Sequence, residues 1–205
     1  MLFEIKIIEW LQSFSCTALD ILTSFSAFFF DYAIIIAVFF LFYFNNKKAY
    51  ATYYVGIQGL GAIVQTLAKK VFARPRPHIA SDTVVSILTS DGYSFPSGHS
   101  VAAMGVFMFL MFFIYSENRN KNERITFTIL GVIYLLLNMF NRMYLGQHYL
   151  TDILGGYLLM VAICSISYLC YKSYVKGFNF VSYNFDKRLF NKKVSEKKEE
   201  KTADN

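Results

Sequence analysis

Long apolar runs, separated by short polar or basic turns, are the feature of this chain that most constrains its fold. The clearest of them are Ala49 to Ala68, Val101 to Tyr115, Ile125 to Phe140 and His148 to Tyr171. A helix needs about 20 predominantly apolar residues to cross a bilayer, and these runs approach that length. With 22 phenylalanines and 15 tyrosines among 205 residues, an integral membrane protein is favoured over a very apolar soluble helical bundle.

The start of the chain combines apolar residues at helical spacing with charged residues that interrupt the apolar face. The apolar positions are Leu2, Ile5, Ile8 and Leu11, and the charged ones are Glu4, Lys6 and Glu9. This pattern is typical of an amphipathic helix that lies in the membrane interface. We therefore expect an interfacial helix at the N-terminus.

The segment from Ile21 to Phe44 is either one spanning helix that contains Asp31 or two helices broken near Ala27 to Asp31. An unpaired carboxylate deep in lipid is costly, which favours the break. Further along, Arg74-Pro75-Arg76-Pro77 cannot continue a helix, because proline lacks the backbone N–H and restricts the residue before it. This motif begins the longest polar connection, Val71 to Phe95.

Together these patterns predict an all-α, polytopic membrane helical bundle with about five to six spanning helices and an N-terminal interfacial helix. Residues 1–30 are expected to form the interfacial and short helices, residues 31–172 the transmembrane core, and residues 173–205 a basic, partly disordered tail. Three glycines of the second span, Gly56, Gly59 and Gly61, are expected to allow close helix contact.

Basic residues are divided unevenly between the two ends of the predicted spans. One end carries Lys47, Lys48, the turn from Arg119 to Arg124 and nine basic residues from Lys172 onward. The positive-inside rule makes this end cytoplasmic, and a basic tail there favours anionic lipid over nucleic acid as its neighbour. The opposite, extracytoplasmic end carries Lys69, Lys70, Arg74, Arg76 and Arg142. Because those five charges break the rule, we expect them to have a local function.

A polar turn, Ser94-Phe95-Pro96-Ser97-Gly98-His99-Ser100, opens directly into one of the apolar runs. Ser97 can be the N-cap of the following helix, so the first free N–H groups of that helix would point back at the turn. Gly98 has no side chain, so an anion can approach the backbone there. His99 would project from the first turn, beside whatever the helix end binds. The turn is thus a candidate phosphate site with a proton donor, unless it is simply a capped helix with an incidental histidine.

Two further segments are expected at the same end of the bundle. His148 and Asp152 are four residues apart at the start of the last helix and share one face. A carboxylate in that position can hold one imidazole nitrogen and leave the other free as a nucleophile. Three cations, Lys69, Arg76 and Arg142, could neutralise a phosphoryl group and stabilise the charge that develops on its oxygens.

These residues carry a resemblance to a known family. Lys-x6-Arg-Pro (Lys69 to Pro77), Pro-Ser-Gly-His (Pro96 to His99) and Arg-x5-His-x3-Asp (Arg142 to Asp152), in this order, resemble the motifs of the type 2 phosphatidic acid phosphatase superfamily. Each motif alone is weak, but the ordered set on one side of a helical membrane protein is specific. The motifs span Lys69 to Asp152, and the helix layout extends the similarity to about Tyr171.

The resemblance implies a phosphatase that needs no metal or other cofactor. His148 would attack phosphorus and form a phosphohistidine, Asp152 would orient His148, and His99 would protonate the leaving group and then activate water. The phosphoryl oxygens would be bound by Lys69, Arg76, Ser97, Gly98 and Arg142. The implied substrate is a membrane lipid phosphate or diphosphate, such as undecaprenyl diphosphate, phosphatidylglycerophosphate or phosphatidate.

The chain departs from the family pattern at one position, where Asn141 precedes Arg142 in place of the usual serine. Asparagine still donates and accepts hydrogen bonds, so a modified pocket is expected. Lys70 and Arg74 match no motif position, and membrane-interface anchoring is the expectation for both.

Three other interpretations remain open. The same scaffold could transfer a phosphoryl group from His148 to a lipid acceptor, or it could bind lipid without catalysis. A metal site at His99, His148 and Asp152 is disfavoured, because three cations converge there and no second carboxylate lies at ligand spacing.

Overall fold

The computed structural model describes residues 2–27, 31–88, 90–117 and 119–170, and within these ranges the regular structure is entirely helical. The predicted tail, residues 173–205, lies outside the described residues. Contacts divide the chain into two units, residues 1–164 and 165–205, and the packing and the site described below belong to the first. The helices are α1 (Leu2–Gln12), α2 (Thr17–Phe25), α3 (Asp31–Phe44), α4 (Lys48–Phe72), α5 (Pro77–Ala80), α6 (Gly98–Ser116), α7 (Lys121–Tyr144) and α8 (Leu150–Cys170).

The all-α architecture predicted from the sequence is confirmed for the described residues. By length and composition, three of the described helices can cross a membrane, namely α6, α7 and α8, and a shorter apolar helix covers Tyr32–Phe44. The total of five to six spans stays a prediction. Helices α2 and α3 are separate elements, with residues 28–30 between them outside the described ranges.

The Arg-Pro-Arg-Pro motif ends α4, as predicted. The helix stops at Phe72, and Ala73 takes the left-handed conformation, with φ of 44°. The backbone N–H of Ala73 donates to the carbonyl of Lys69 at 3.0 Å, which closes the last helical turn. The chain then runs extended through Arg76, and Pro77 begins the short helix α5. Lys69 therefore lies in the last turn of α4, immediately before the chain turns away.

An aromatic core holds α3, α4 and α6 together. The ring centroids of Phe42 in α3 and Phe109 in α6 are 4.9 Å apart, and the ring centroid of Tyr54 in α4 lies 4.7 Å from that of Phe109. At the far end of the bundle, Lys47 pairs with Glu117 at 2.9 Å and joins the start of α4 to the end of α6. These contacts keep α4 and α6 antiparallel, so the end of α4 and the start of α6 lie at the same end of the bundle.

Helix α1 packs one face against the protein. Ile5 and Ile8 are buried with Met143, Tyr149 and Ile153 in a small core of their own. The other face exposes three large apolar side chains, which are Leu2, Phe3 and Trp10. An outer apolar face of this kind fits the predicted interfacial position, which remains a prediction. The burial of Glu4, at 8% exposure, was not expected.

Helix α2 is tied to the end of α7 by polar contacts. The side-chain amide of Asn141 donates to the carbonyl of Thr23 at 3.0 Å and also to the hydroxyl of Ser26. The Tyr144 hydroxyl donates to the Asp20 carboxylate. Asn141 therefore connects α7 to α2 by hydrogen bonds, and a serine side chain, which is shorter, would reach these partners less easily.

Close helix contact occurs at some of the glycines but not at all of those predicted. A Cβ at Gly156 in α8 would lie 2.8 Å from the Ser97 carbonyl oxygen at the start of α6. A Cβ at Gly61 would meet Met160 and Val101 at about 3 Å. A Cβ at Gly56 or Gly59, by contrast, would meet nothing within 4 Å, so the predicted close contact is wrong at those two positions.

We expect Gly156→Ala to destabilise the protein, because the new methyl group collides with backbone that cannot rotate away. Overpacking of this kind lowers the free energy of unfolding by about 1–3 kcal/mol. Thermal unfolding of the purified protein in detergent measures the effect. Gly59→Ala is the matched control: it adds the same methyl group to a helix in open space, and it should leave stability unchanged or raise it by up to about 1 kcal/mol. Equal effects of the two substitutions would contradict the close α6–α8 contact.

Candidate active site

One cavity brings together six of the eight predicted site residues. Its volume is about 390 Å³, and it lies where α4 ends and α6 begins, beside the link between α7 and α8. The predicted residues that line it are Lys69, Arg76, Gly98, His99, Arg142 and His148. Residues about eighty positions apart in the sequence therefore face one space. Tyr32, Gln65 and Gln147 also line this cavity and were not identified from the sequence.

His148 lies between a buried carboxylate and the cavity. It precedes α8, which begins at Leu150, so the prediction that His148 starts the last helix is wrong. Its Nδ1 is 3.6 Å from Oδ2 of Asp152, which is fully buried, while the imidazole itself lines the cavity. The backbone N–H of Tyr149 donates to the same Oδ2 at 2.9 Å and holds the carboxylate in place. The separation from Nδ1 is slightly longer than a hydrogen bond, so a small movement of the ring would complete one.

The surroundings of His148 favour its neutral form. Burial lowers the pKa of His148 to about 4; the Asp152 carboxylate raises that pKa, and the Arg76 and Lys69 cations lower it. A neutral imidazole has a free nitrogen lone pair at neutral pH. His148 is therefore in the protonation state that a nucleophile needs.

The turn between α7 and α8 places Arg142 next to His148. The carbonyl of Arg142 accepts the backbone N–H groups of Gln147 at 3.2 Å and of His148 at 3.3 Å. Gly146 in this turn has φ of 70°, and a Cβ on it would lie 2.4 Å from the carbonyl oxygen of Val85. Only glycine fits this backbone conformation and this close approach. Arg142 is 3% exposed, which puts a cation inside the site rather than at its rim.

Arg76 is held by the polar connection between α5 and α6. Its Nε donates to the Gly92 carbonyl and its Nη2 donates to the Asp91 carbonyl, both at 3.0 Å. Its Nη1 donates to the backbone and side-chain oxygens of Gln147 at 3.2 Å. These acceptors fix the plane of the guanidinium before any substrate is present. Gln147 thus positions a predicted phosphate ligand.

The start of α6 has the predicted backbone geometry. Ser97 is the N-cap residue, with extended φ and ψ, but its side chain makes no capping bond. Its hydroxyl accepts from Ser100 at 3.0 Å, and its N–H donates to the Asp152 carbonyl at 3.0 Å. Ser97 is fully buried and is not among the residues that line the cavity. These contacts join α6 to α8, and a direct bond from Ser97 to phosphate stays a prediction.

Gly98 and His99 face the cavity at this helix start. A Cβ on Gly98 would lie 3.2 Å from the side-chain nitrogen of Gln65, so the absence of a side chain at Gly98 leaves room for Gln65. The first N–H groups of a helix have no partner within the helix and attract anions. The Tyr32 ring of α3 packs edge-on against the His99 ring, with the two ring centroids 6.0 Å apart.

Two charged residues in contact with this site were missed by the sequence analysis. Arg74 was expected to anchor at the membrane interface, but its Nη1 lies 2.5 Å from Oδ1 of Asp152 and its Nη2 lies 3.0 Å from Oε2 of Glu4. The interface expectation for Arg74 is therefore wrong. One sequence signal for Glu4 was available, since Glu4 shares a helical face with Ile8 and Leu11 and would be drawn inward with them.

Within the described residues, no group of three or more His, Cys, Asp or Glu side chains is arranged to hold a metal ion.

Comparisons with known proteins agree on one family. The sequence pattern of the PAP2 superfamily matches residues 50–176, which is more than half of the chain. Undecaprenyl-diphosphatase BcrC of Bacillus subtilis is 30% identical over 133 residues, covering 64% of this chain and 63% of that protein. Phosphatidylglycerophosphatase B of Bacillus subtilis is 32% identical over 103 residues, covering 49% of this chain and 48% of that protein. The matched region thus spans less than two thirds of either relative.

Solved structures give the same result for the fold. The crystal structure of a transmembrane PAP2-type phosphatidylglycerolphosphate phosphatase from Bacillus subtilis superposes with a TM-score of 0.69 at 20% identity, covering 83% of this chain and 85% of that one. The crystal structure of Aquifex aeolicus LpxE superposes with a TM-score of 0.65 at 20% identity, covering 79% and 92%. With its ordered motifs, one shared cavity and these matches, the chain belongs to the PAP2 superfamily.

Proposed function

We propose that this protein is a metal-independent membrane phosphatase that hydrolyses a lipid phosphate or diphosphate through a phosphohistidine intermediate. The observation that carries the proposal is the single cavity lined by His148, His99 and three cations, with Asp152 buried against His148. Two relatives are named as phosphatases of undecaprenyl diphosphate and phosphatidylglycerophosphate, which supports this class of reaction.

The first half of the proposed reaction forms a covalent intermediate. The free imidazole nitrogen of His148 attacks phosphorus, and the bond from phosphorus to the leaving oxygen breaks. His99 donates a proton to that oxygen, so the lipid leaves as an alcohol, or as a monophosphate if the substrate is a diphosphate. Asp152 stabilises the positive charge that develops on the His148 ring.

The second half regenerates the enzyme. His99, now neutral, takes a proton from water, and the resulting hydroxide attacks phosphorus. The bond between phosphorus and His148 breaks, inorganic phosphate is released, and His148 returns to its neutral form. Lys69, Arg76 and Arg142 neutralise the phosphoryl oxygens in both halves. In this proposal Gly98 and Ser97 contribute backbone or hydroxyl donors at the start of α6.

The size of the cavity supports a substrate whose apolar tail stays in the membrane. About 390 Å³ is enough for a phosphoryl head group but not for a long lipid tail. A second cavity of about 410 Å³ lies between α2 and α7, has a mainly apolar surface, and shares Arg142 with the first. We propose that the site opens to the extracytoplasmic side, on the strength of the basic residues at the opposite end of the helices.

We expect the purified protein in detergent to release inorganic phosphate from at least one of undecaprenyl diphosphate, phosphatidylglycerophosphate and phosphatidate, with EDTA present throughout. His148→Ala should lower the rate by about a thousandfold or more, because no nucleophile remains. His78→Ala is the control, since His78 contacts the Gly146 carbonyl and does not line the cavity; it should keep most of the activity. Loss of activity with EDTA would contradict the metal-free mechanism. Phosphorylation of an added lipid acceptor without release of inorganic phosphate would indicate a phosphotransferase, and lipid binding without turnover would indicate a non-catalytic protein.

The pH dependence tests the role of His148 directly. Because the pKa of His148 is lowered to about 4, its ring stays neutral as the pH falls and becomes protonated only near pH 4. On this account kcat/KM should decline as the pH falls through about 4, since a protonated ring cannot attack phosphorus. Asp152→Asn removes a charge that raises this pKa. The acidic limb of the pH profile, which is the range where kcat/KM falls with falling pH, should therefore move to lower pH while kcat also falls. The wild type and Asp152→Asn are assayed on the same substrate, so that any titration of the substrate affects both pH profiles equally. An unchanged limb in Asp152→Asn would contradict the pairing.

A further inference from the structure

A chain of charged side chains runs from the N-terminal helix to the site. Oε2 of Glu4 in α1 lies 3.0 Å from Nη2 of Arg74, and Nη1 of Arg74 lies 2.5 Å from Oδ1 of Asp152. Asp152 in turn faces His148 through its other oxygen, Oδ2. The three residues come from α1, from the segment after α4 and from α8, so the contacts are tertiary and join distant parts of the sequence.

The two oxygens of Asp152 have different partners. Oδ1 accepts from Arg74, and Oδ2 accepts from the Tyr149 N–H and faces the His148 ring. The guanidinium also donates to the Thr151 hydroxyl at 2.6 Å and lies 3.9 Å from the centre of the Tyr149 ring. A planar guanidinium held at several points restricts the rotation of the carboxylate that it contacts. The orientation of Asp152 therefore depends on Arg74.

Glu4 completes the arrangement from the outside. Its Oε1 accepts the backbone N–H of Thr151 at 2.9 Å and the Thr151 hydroxyl at 2.7 Å. Thr151 lies in the first turn of α8, where N–H groups lack partners within the helix. Although burial raises the pKa of Glu4, the bonds from Thr151 and the charge of Arg74 lower it overall, which favours the charged carboxylate. Glu4 thus both holds the start of α8 and balances the charge of Arg74.

We propose that Glu4 and Arg74 are positioning residues of this site, which set the orientation of Asp152 and the charge that it presents to His148. The proposal rests on the proposed role of His148 as the nucleophile. In this proposal α1 is a part of the active site and not only an interfacial helix. Arg74 then orients Asp152, while Arg76, two residues later, remains the predicted phosphate ligand.

Charge determines how the two positioning residues act on His148. Arg74 offsets part of the negative charge of Asp152, and Glu4 offsets part of the positive charge of Arg74. The other charged and titratable groups near His148 are Lys69 of α4, Arg76 of the following segment, His99 of α6 and Arg142 of α7. Those four are unchanged in the variants below, so any difference in the titration of His148 reports on Glu4 and Arg74.

The two neutral variants should move the acidic limb of kcat/KM in opposite directions. Arg74→Gln leaves the negative charge of Asp152 without its cation, which raises the pKa of His148 and moves the limb to higher pH. Glu4→Gln keeps an oxygen for Thr151 but removes the negative charge that offsets part of the charge of Arg74, which moves the limb to lower pH. We expect shifts of about half to one pH unit. We also expect kcat to fall about tenfold or more in Arg74→Gln.

Three further variants separate positioning from simple stabilisation. Arg74→Lys keeps the charge but loses the planar fork, so kcat should fall while the limb stays in place. Lys6→Gln removes an exposed charge from α1, Lys70→Gln removes one from the last turn of α4, and neither should change kcat or the limb. The melting temperature of every variant is measured in the same detergent. Losses of activity that follow the melting temperature without a shift of the limb, or shifts of both neutral variants in one direction, would overturn the proposal.

A second readout does not depend on catalysis. The chain has three histidines, so the imidazole signals of isotopically labelled histidine can be assigned by single substitutions and titrated by NMR. Opposite shifts of the His148 titration in Glu4→Gln and Arg74→Gln would support the positioning proposal even if no lipid were hydrolysed. Turnover by the wild type that is abolished in His148→Ala, with no shift in either neutral variant, would support the proposed function and reject the positioning proposal.

Discussion

The negative charge of Asp152 is the element on which the rest of this site depends. A fully buried carboxylate is stable only if nearby groups compensate its loss of water. Here a guanidinium contacts one oxygen, and a backbone N–H with an imidazole faces the other. The backbone carbonyl of the same residue accepts the N–H of Ser97. One residue therefore joins the starts of α6 and α8 to the segment after α4. Each of these three places lies at or next to a residue that lines the cavity, namely His99, His148 and Arg76.

The membrane bundle makes this convergence possible. Antiparallel helices bring alternate helix ends to one face. The Phe42, Tyr54 and Phe109 rings and the Lys47–Glu117 pair hold α3, α4 and α6 in that arrangement. The close approach of α8 to α6 at Gly156 then sets the distance between α6, which carries His99, and α8, which directly follows His148. A stable core at one end of the helices thus supports a strongly charged site at the other.

Much of the site was predictable because its residues lie in short motifs along the chain. The four-residue spacing of His148 and Asp152 predicted that their side chains meet, although His148 precedes α8 instead of lying on it. The glycine at the start of α6 faces the cavity, and six of the eight predicted residues line it. The burial of Ser97 was not predictable in the same way, because its partners, Ser100 and the Asp152 carbonyl, are known only once α6 and α8 are packed. Asn141 is similar, since its acceptors belong to α2, more than a hundred residues earlier.

The amino-acid sequence by itself determined the helical class, the end of α4 at the Arg-Pro motif and the residues on which the proposed reaction is based. These features depend on apolar length, on proline and on short spacings along the chain, all of which are local. Only the tertiary structure decided that Glu4 is buried and that Arg74 contacts Asp152 instead of lipid. The sequence does not show which opposite charge a given residue will pair with. Burial of Glu4 and partial burial of Arg74 are stabilised by opposite charges that come close only in the folded chain.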